Sequence, residues 1–235
     1  MKNNLISIAI PAYKATYLRE AISSALNQTY TNFELIIVND KSPENLNKIV
    51  KSFNDSRIRY YENNENLGKK SIVHNWNKCL SLAKGEFFVL LCDDDIMMPN
   101  FLKTMIQYTY KYPKCNVFKT RCYIIKDSKI IEETSLWDEF QTFDTFFDKK
   151  MRRMRKHTIS EFLYRTSYIQ TLQYIPFPIG YYSDDASIIR FIENGGICCS
   201  KEILMKFRRS DIHITGNKSL NKQKVDAALC YYEWL

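Results

Sequence analysis

Glycine is scarce in this 235-residue sequence, and its placement argues against the common phosphate-binding loops. No glycine occurs in PAYKATYL, the segment that follows the first predicted strand at residues 5–10. Dinucleotide-binding dehydrogenases and P-loop NTPases need glycines there, because their backbone must approach a phosphate closely. Sugar nucleotidyltransferases also use a glycine-rich loop at this point. A diphosphate bound by this chain would therefore need a cation to neutralise it.

Long apolar runs and paired cysteines are also missing. The longest apolar run, residues 87–92, is far shorter than the roughly 20 residues that a membrane-spanning helix needs. The N-terminus lacks the apolar core of a secretory signal, so we expect a cytoplasmic protein. None of the seven cysteines forms a C-x-x-C pair, which favours free buried thiols over a zinc site or a disulfide framework.

Positive charge is abundant, with a formal net charge of +8 and an isoelectric point near 9.0. This balance predicts an anionic partner, such as a nucleic acid, a nucleotide diphosphate or a membrane surface. The chain has no zinc-finger spacing, RNP-type strand or basic region leading into heptads, so we predict no nucleic-acid partner. The densest charge, at residues 149–156, suits either a solvated loop or a flap that covers donor phosphates or contacts the inner face of a membrane.

Strand and helix patterns alternate along the first part of the chain. Strands are predicted at residues 5–10, 34–39, 58–61 and 87–91, with helices at 17–26, after Ser42-Pro43, and from 72 to Gly85. This alternation predicts an α/β fold with a mostly parallel sheet flanked by helices. Residues 101–112 are predicted to be helical, 115–126 extended and 127–157 irregular. We expect one domain with two functional halves, residues 1–105 and 106–235.

Three of the predicted strands are followed by groups suited to ligand binding. They are Pro11-Ala12-Tyr13 after the first strand, Asp40 after the second and Asp93-Asp94-Asp95 after the fourth. The carboxyl ends of parallel strands open onto one crevice, where ligands of open α/β sheets bind. Three consecutive carboxylates repel one another without a cation between them, and hard oxygen ligands suit Mg²⁺ or Mn²⁺. A turn or capping cluster before the next helix is the alternative.

Two stretches resemble the nucleotide-binding half of family 2 glycosyltransferases: SIAIPAYKATYLREAISSALNQTYTNFELIIVND and NLGKKSIVHNWNKCLSLAKGEFFVLLCDDDIMMPNFL. The resemblance implies the Rossmann-like GT-A fold, with a smaller acceptor-side region. It implies an inverting, Mg²⁺- or Mn²⁺-dependent transfer from a nucleotide-sugar donor, with UDP favoured, to a glycan or lipid-linked acceptor. It also favours a place in surface polysaccharide synthesis. The aromatic stretch at residues 230–235 leaves an oligomer open.

The resemblance assigns a role to each strand end. The nucleotide base would rest on Pro11, Ala12 and Tyr13. Asp40 would accept a hydrogen bond from a base N–H. In the family's Asp-x-Asp-Asp motif, Cys92 replaces the first aspartate, and Asp93 takes the variable place and could contact the ribose. Asp94 would then be the metal ligand, with Asp95 as its outer support.

The second half carries a weaker resemblance. The sequence YSDD at residues 182–185 opens an apolar helix and resembles the family's acidic pair before its acceptor-side helix. By that resemblance Asp185 would be the general base for the acceptor hydroxyl, and Asp184 would contact substrate. The alternative is that Asp184 caps the helix and Asp185 is a first-turn acid. His213 would ligate the metal or touch phosphate, or it is a surface histidine.

Two other functions remain open on the sequence. In a non-catalytic nucleotide-sugar-binding protein, the cysteine at position 92 would reflect lost chemistry. A sugar nucleotidyltransferase would need the glycine-rich loop that this chain lacks. Slow hydrolysis of a nucleotide-sugar in the presence of Mn²⁺ would distinguish a transferase from a pure binding protein, which should release no nucleoside diphosphate.

Overall fold

Parallel strands form one half of the central sheet in a computed structural model that describes residues 4–154, 156–209, 214 and 217–235. In chain order they are β1 (Ile6–Ala12), β2 (Phe33–Asn39), β3 (Ile58–Glu62) and β4 (Phe87–Leu90). They lie in the order β3-β2-β1-β4 and alternate with helices α1 (Leu18–Leu26), α2 (Leu46–Val50) and α3 (Val73–Leu82). Apolar cores cover both faces of β2 and β4, so every residue of these strands is buried. The predicted alternation of strands and helices is confirmed.

The second helix begins later than the Ser42-Pro43 pair predicts. Asn45 caps α2, because its side-chain oxygen accepts a hydrogen bond from the Lys48 N–H at 3.1 Å. The Ser42 hydroxyl instead donates to the Tyr13 carbonyl at 2.6 Å, on the loop that follows β1. The prediction of a helix start at Ser42 was wrong, because a contact distant in sequence uses the hydroxyl that would have capped the helix.

The third helix ends at Leu82, before the glycine that was predicted to end it. Gly85 instead lies against the start of β1. A Cβ atom at this position would lie 2.6 Å from the Ser7 backbone nitrogen and 2.7 Å from the Leu5 carbonyl oxygen. Glycine is therefore required by the close approach of two backbone segments and has no capping role here.

The second half of the chain adds further strands and helices to the fold. The strands are β5 (Ile96–Met97), β6 (Val117–Lys126), β7 (Lys129–Glu133), β8 (Phe140–Gln141), β9 (Phe162–Arg165) and β10 (Ile197–Arg208). The helices are α4 (Phe101–Lys111), α5 (Phe143–Met151), α6 (Thr166–Leu172), α7 (Ser183–Ile192) and α8 (Asn221–Trp234). Short 3-10 turns cover Leu67–Lys69, Ile159–Glu161, Pro178–Gly180 and Lys218–Leu220.

Residues 127–157 are more regular than the sequence predicted. They contain β7, β8 and α5, so the prediction of an irregular segment was wrong. Helix α5 is short and polar on most of its surface, but Phe146 is fully buried and its ring lies 5.6 Å from that of Trp137. Phe143 and Phe147 also pack against this core, so the helix buries three aromatic rings at helical spacing, a pattern that the prediction of an irregular segment overlooked.

One sheet joins both halves of the chain. Strand β9 pairs antiparallel with β4 and β6, and β10 runs parallel to β6. The short strand β5, which follows the acidic triplet, pairs antiparallel with β10 through Met97 and Met205. This pairing holds the acidic triplet beside the end of β10. Among the described residues, no helix combines the length and apolar character that crossing a membrane requires.

Candidate active site

A cleft of about 1120 Å³ opens at the carboxyl ends of β1, β2 and β4. Most of the predicted site residues line it: Pro11, Tyr13, Asp40, Asp93, Asp94, Asp184 and Asp185. Ala12 and Asp95 are buried close by, with 0% and 1% of their surface exposed. His213 lies outside the described residues. The structure therefore brings the acidic groups of both halves of the chain to one cavity.

Asp93 fixes the loop that follows β1. Its Oδ2 atom accepts hydrogen bonds from the Tyr13 N–H at 2.8 Å and the Lys14 N–H at 2.9 Å. Burial raises the pKa of Asp93 to about 6, although these two N–H donors act in the opposite direction. Tyr13 remains 38% exposed, so its ring is available to a ligand in the cleft.

Asp40 organises the segment that follows β3. Its Oδ1 atom accepts from the Asn63 side-chain amide at 2.8 Å and from the Leu67 N–H at 2.9 Å. Its Oδ2 atom accepts from the Gly68 N–H at 2.8 Å. A carboxylate has about four lone-pair sites, so room remains for the predicted contact with a base N–H. Asp40 therefore has a structural role in addition to its predicted binding role.

Two members of the acidic triplet, together with the preceding cysteine, form a group that fits a divalent cation. Cys92, Asp94 and Asp95 each offer one ligand atom, and these atoms all lie within 4.8 Å of one another. Burial raises the pKa of Asp94, and burial together with the charge of Asp94 raises that of Asp95 well above its usual value. A cation between these groups would offset the cost of their negative charge, and oxygen ligands suit Mg²⁺ or Mn²⁺.

The side chains of Cys92, Asp94 and Asp95 have different surroundings. Asp95 accepts hydrogen bonds on both oxygens, from the Ser160 hydroxyl at 2.6 Å and the Arg208 N–H at 3.0 Å. Asp94 faces the cleft. Burial raises the pKa of the Cys92 thiol well above its usual value, so the thiol is neutral at neutral pH. This arrangement is compatible with Asp94 as the direct ligand and Asp95 as its support, and both roles stay predictions.

The acidic pair of the second half begins α7. The residue that precedes this helix is Tyr182, whose φ of 63° lies in the left-handed region. Asp184 and Asp185 stand in the first helical turn, where the helix dipole favours negative charge. Tyr182 occupies the capping position, so the alternative of a cap at Asp184 was wrong. Burial and the charge of Asp185 raise the pKa of Asp184 to about 7.

Asp185 contacts two basic groups that the sequence interpretation missed. The Lys150 ammonium forms an ion pair with Asp185 Oδ1, and His157 Nε2 lies 3.2 Å from the same oxygen. Lys150 comes from the last turn of α5, so the basic run begins on a helix and is not all loop. His157 is one of only three histidines and follows that run directly. That juxtaposition was the only available signal in the sequence.

A second group of possible metal ligands consists of His157, Asp184 and Asp185, whose ligand atoms also lie within 4.8 Å of one another. Here the Lys150 ammonium already supplies a positive charge at Asp185. A divalent ion would have to displace it, at the cost of leaving a buried ammonium without that partner. The group at the end of β4 is therefore the better candidate for a metal site.

The parallel strands, the acidic strand ends and the opposing acidic helix define the class of GT-A glycosyltransferases. The model of the glycosyl transferase family 2 matches residues 7–191, and the chain belongs to this family. The resemblance and the fold class predicted from the sequence are both confirmed.

Two curated relatives share part of this sequence. An uncharacterised glycosyltransferase of Rickettsia typhi is 37% identical over 134 residues, which cover 55% of this chain and 41% of that protein. WcaA of Escherichia coli K12, named provisionally as a colanic acid biosynthesis glycosyl transferase, is 40% identical over 112 residues. These residues cover 46% of this chain and 39% of WcaA. The chain thus matches about two fifths of the length of these relatives.

Two solved structures share the fold. TarS of Staphylococcus aureus (residues 1–349), in complex with UDP-GlcNAc, has a TM-score of 0.74 at 16% identity, covering 88% of this chain and 59% of that one. The mannosyltransferase PcManGT of Pyrobaculum calidifontis, in complex with GDP-Man and Mn²⁺, has a TM-score of 0.64 at 14% identity. The match covers 97% of this chain and 63% of PcManGT. At these identities the likeness establishes the fold alone.

Proposed function

We propose that this chain is an inverting, metal-dependent glycosyltransferase that moves a sugar from a nucleotide diphosphate to a hydroxyl of a glycan or lipid-linked acceptor. The observation that carries the proposal is the position of Asp185 in the same cleft as Asp93 and Asp94. One cavity can thus hold a donor diphosphate beside Asp93 and Asp94 and an acceptor hydroxyl beside Asp185.

The donor would bind at the ends of β1, β2 and β4. Tyr13 and its neighbours Pro11 and Ala12 would hold the base, Asp40 a base N–H, and Asp93 the ribose. Asp94, supported by Asp95, would hold Mn²⁺ or Mg²⁺, which stabilises negative charge on the departing diphosphate. UDP is the favoured nucleotide. The UDP-GlcNAc and GDP-Man complexes of the structural neighbours, one of them with Mn²⁺, support this assignment.

Asp185 would act as the general base, with Asp184 contacting the acceptor. The acceptor oxygen attacks the anomeric carbon of the sugar from the face opposite the diphosphate, and Asp185 accepts its proton. The new carbon–oxygen bond forms as the bond to the diphosphate oxygen breaks, and that oxygen keeps the electron pair. Displacement from the opposite face inverts the anomeric configuration.

The acceptor would come from surface polysaccharide assembly. The provisional name of WcaA supports this process. Three residues of the basic segment 149–156 line the same cleft, Lys150, Arg153 and Lys156, and they support an anionic acceptor or a peripheral membrane contact. A non-catalytic binding protein is the second candidate, since the neutral Cys92 thiol stands where the family has an aspartate.

Replacing Asp185 by Asn tests the proposed chemistry. A thermal-shift panel of UDP-, GDP- and TDP-sugars with Mn²⁺ first selects the donor. We expect Asp185→Asn to lower the rate of nucleoside diphosphate release from that donor by about 10³-fold, because the general base is lost. Isothermal titration with the nucleoside diphosphate should give an unchanged Kd.

Asp138→Asn is the matched control, because Asp138 is an exposed aspartate that pairs with Lys149. It should release diphosphate at the normal rate. Near-normal release by Asp185→Asn would remove Asp185 from the mechanism. A wild-type protein that binds the donor but releases no diphosphate would instead favour the binding protein.

A further inference from the structure

The end of helix α5 points two adjacent lysines in different directions. Lys149 pairs at 2.5 Å with Asp138, whose side chain is 61% exposed. Lys150 turns inward, where 11% of its side chain is exposed, and pairs with Asp185 Oδ1. Burial of an ammonium is unfavourable unless a counter-charge lies close, so this ion pair ties the end of α5 to the start of α7.

The Nε2 atom of His157 lies 3.2 Å from the same oxygen. None of its side chain is exposed, and its ring stands edge-on to Phe162 at 5.4 Å and to Trp137 at 6.5 Å. Burial, and then the charges of Lys150 and Lys119, lower its pKa well below the usual value, so the ring is neutral. Neither ring nitrogen has a hydrogen-bond partner within the described part of the chain. A buried imidazole without a bond requires an explanation.

We infer that Lys150 is a positioning residue that holds Asp185 by its Oδ1 atom, that the neutral His157 ring packs against the same oxygen and limits its movement, and that Oδ2 is left to accept the proton of the acceptor hydroxyl. This inference rests on the proposed function of Asp185. Both contacts are made to Oδ1, and within the described ranges no donor contacts Oδ2. A carboxylate held by one oxygen has a fixed orientation, which a general base needs in order to meet a proton at hydrogen-bond distance.

Lys150 also offsets a repulsion within the acidic pair. Asp184 and Asp185 are adjacent in one turn of α7, and their negative charges oppose each other. The ammonium of Lys150 favours the charged form of the carboxylate that it contacts. Its removal should therefore make the base harder to ionise, and the acid limb of the pH–rate profile should move to higher pH.

Other ionisable groups around Asp185 should not produce this shift. Tyr182 and Tyr231 lie near it, and burial raises the pKa of both, so they are neutral in the working range. Arg153 lines the same cleft and is unchanged in every variant compared. Lys150 also lowers the pKa of Asp184, so the Lys150 variants are compared a second time in an Asp184→Asn background, where Asp184 cannot contribute to the shift.

Lys150→Met and Lys149→Met form a matched pair for the test, measured by Mn²⁺-dependent UDP release from UDP-GlcNAc, or from the nucleotide-sugar that the thermal-shift panel selects. We expect Lys150→Met to lower kcat by about 30-fold and to move the acid limb up by about one pH unit. Lys149→Met should match the wild type in kcat and in the position of the acid limb. Lys150→Arg should recover most of the rate, because it restores the charge. The Kd for UDP should not change in any of them.

His157→Gln should lower kcat by about tenfold without moving the acid limb, because it removes a neutral group. Thermal unfolding of each variant checks that it folds. A Lys150→Met protein with the wild-type pH profile would overturn the inference while Asp185→Asn stays inactive. Weaker UDP binding by Lys150→Met would also overturn it, because Lys150 would then serve the donor. An active Asp185→Asn protein would overturn the proposed function and this inference together.

Discussion

The aspartates on the two sides of the cleft are held by different kinds of partner. On the donor side, Asp40, Asp93 and Asp95 all accept backbone N–H groups, from Leu67 and Gly68, from Tyr13 and Lys14, and from Arg208. On the acceptor side, Asp185 is held by the side chain of Lys150, and His157 lies beside the same oxygen. Backbone donors are supplied by the fold itself, whereas side-chain partners depend on the residue at one position. The donor-side aspartates are therefore held partly by the backbone of the α/β architecture, whereas the Asp185 carboxylate is more open to change by substitution.

One aspartate from each side, Asp40 and Asp184, should contribute to stability with opposite signs. A buried carboxylate that accepts several N–H groups stabilises the fold, because its removal leaves those donors unsatisfied. Asp184 and Asp185 place adjacent charges in a partly buried turn, and the raised pKa of Asp184 shows that its charged form is disfavoured there. The following substitutions test this contrast.

The largest effect is expected from Asp40→Asn, which breaks the donor-side network. An amide in this place can no longer accept the bonds from Asn63, Leu67 and Gly68 together, so the free energy of unfolding should fall by about 3 kcal/mol. Urea denaturation followed by circular dichroism measures it. Asp138→Asn is the exposed control and should change stability by less than about 0.5 kcal/mol. A loss as small as the control's would show that the donor side does not depend on this carboxylate.

Asp184→Asn should act in the opposite direction. Because the pKa of Asp184 is raised to about 7 in the folded state, the stability associated with this group is present at low pH and is lost as pH rises toward and through 7. Above that pH the charged form opposes folding, so Asp184→Asn should raise the free energy of unfolding by about 2 kcal/mol at about pH 8.

At about pH 5 the same substitution should stabilise the protein less than at about pH 8, because pH 5 lies between the usual pKa of an aspartate and the raised pKa of Asp184 in the folded protein. Thermal unfolding across this pH range, with EDTA present to exclude metal ions, gives the difference between the wild type and the variant. Asp93 and the other buried acids titrate in both proteins and cancel in this difference. Equal stabilisation at both pH values would indicate a packing effect and would remove the electrostatic contrast between the two sides.

The same contrast explains how much could be predicted from the sequence. Asp40 and Asp93 were predicted as site residues because position at the end of a parallel strand places a residue at the cleft. Lys150 and His157 were missed because their contact with Asp185 joins α5 and the following segment to α7, and no local pattern encodes that approach. The start of α2 was misplaced for a related reason, since the Ser42 hydroxyl binds a carbonyl far away in the sequence.

The smallest effect is expected from Ser42→Ala, which sharpens the comparison within the donor side. The Ser42 hydroxyl donates to the Tyr13 carbonyl and accepts from the Glu44 N–H at 3.0 Å, but both contacts are exposed, so the free energy of unfolding should fall by only about 0.5 kcal/mol. The Tyr13 loop keeps its two bonds to Asp93, so the Kd for UDP should rise by about twofold at most. Ser81→Ala removes a similar exposed hydroxyl, which donates to a carbonyl within α3 far from the cleft, and it should leave UDP binding unchanged. The contrary result is that Ser42→Ala weakens UDP binding by tenfold or more while Ser81→Ala does not. That result would show that the donor loop depends on the Ser42 side chain, as Asp185 depends on the side chain of Lys150, and it would contradict the contrast between the two sides of the cleft.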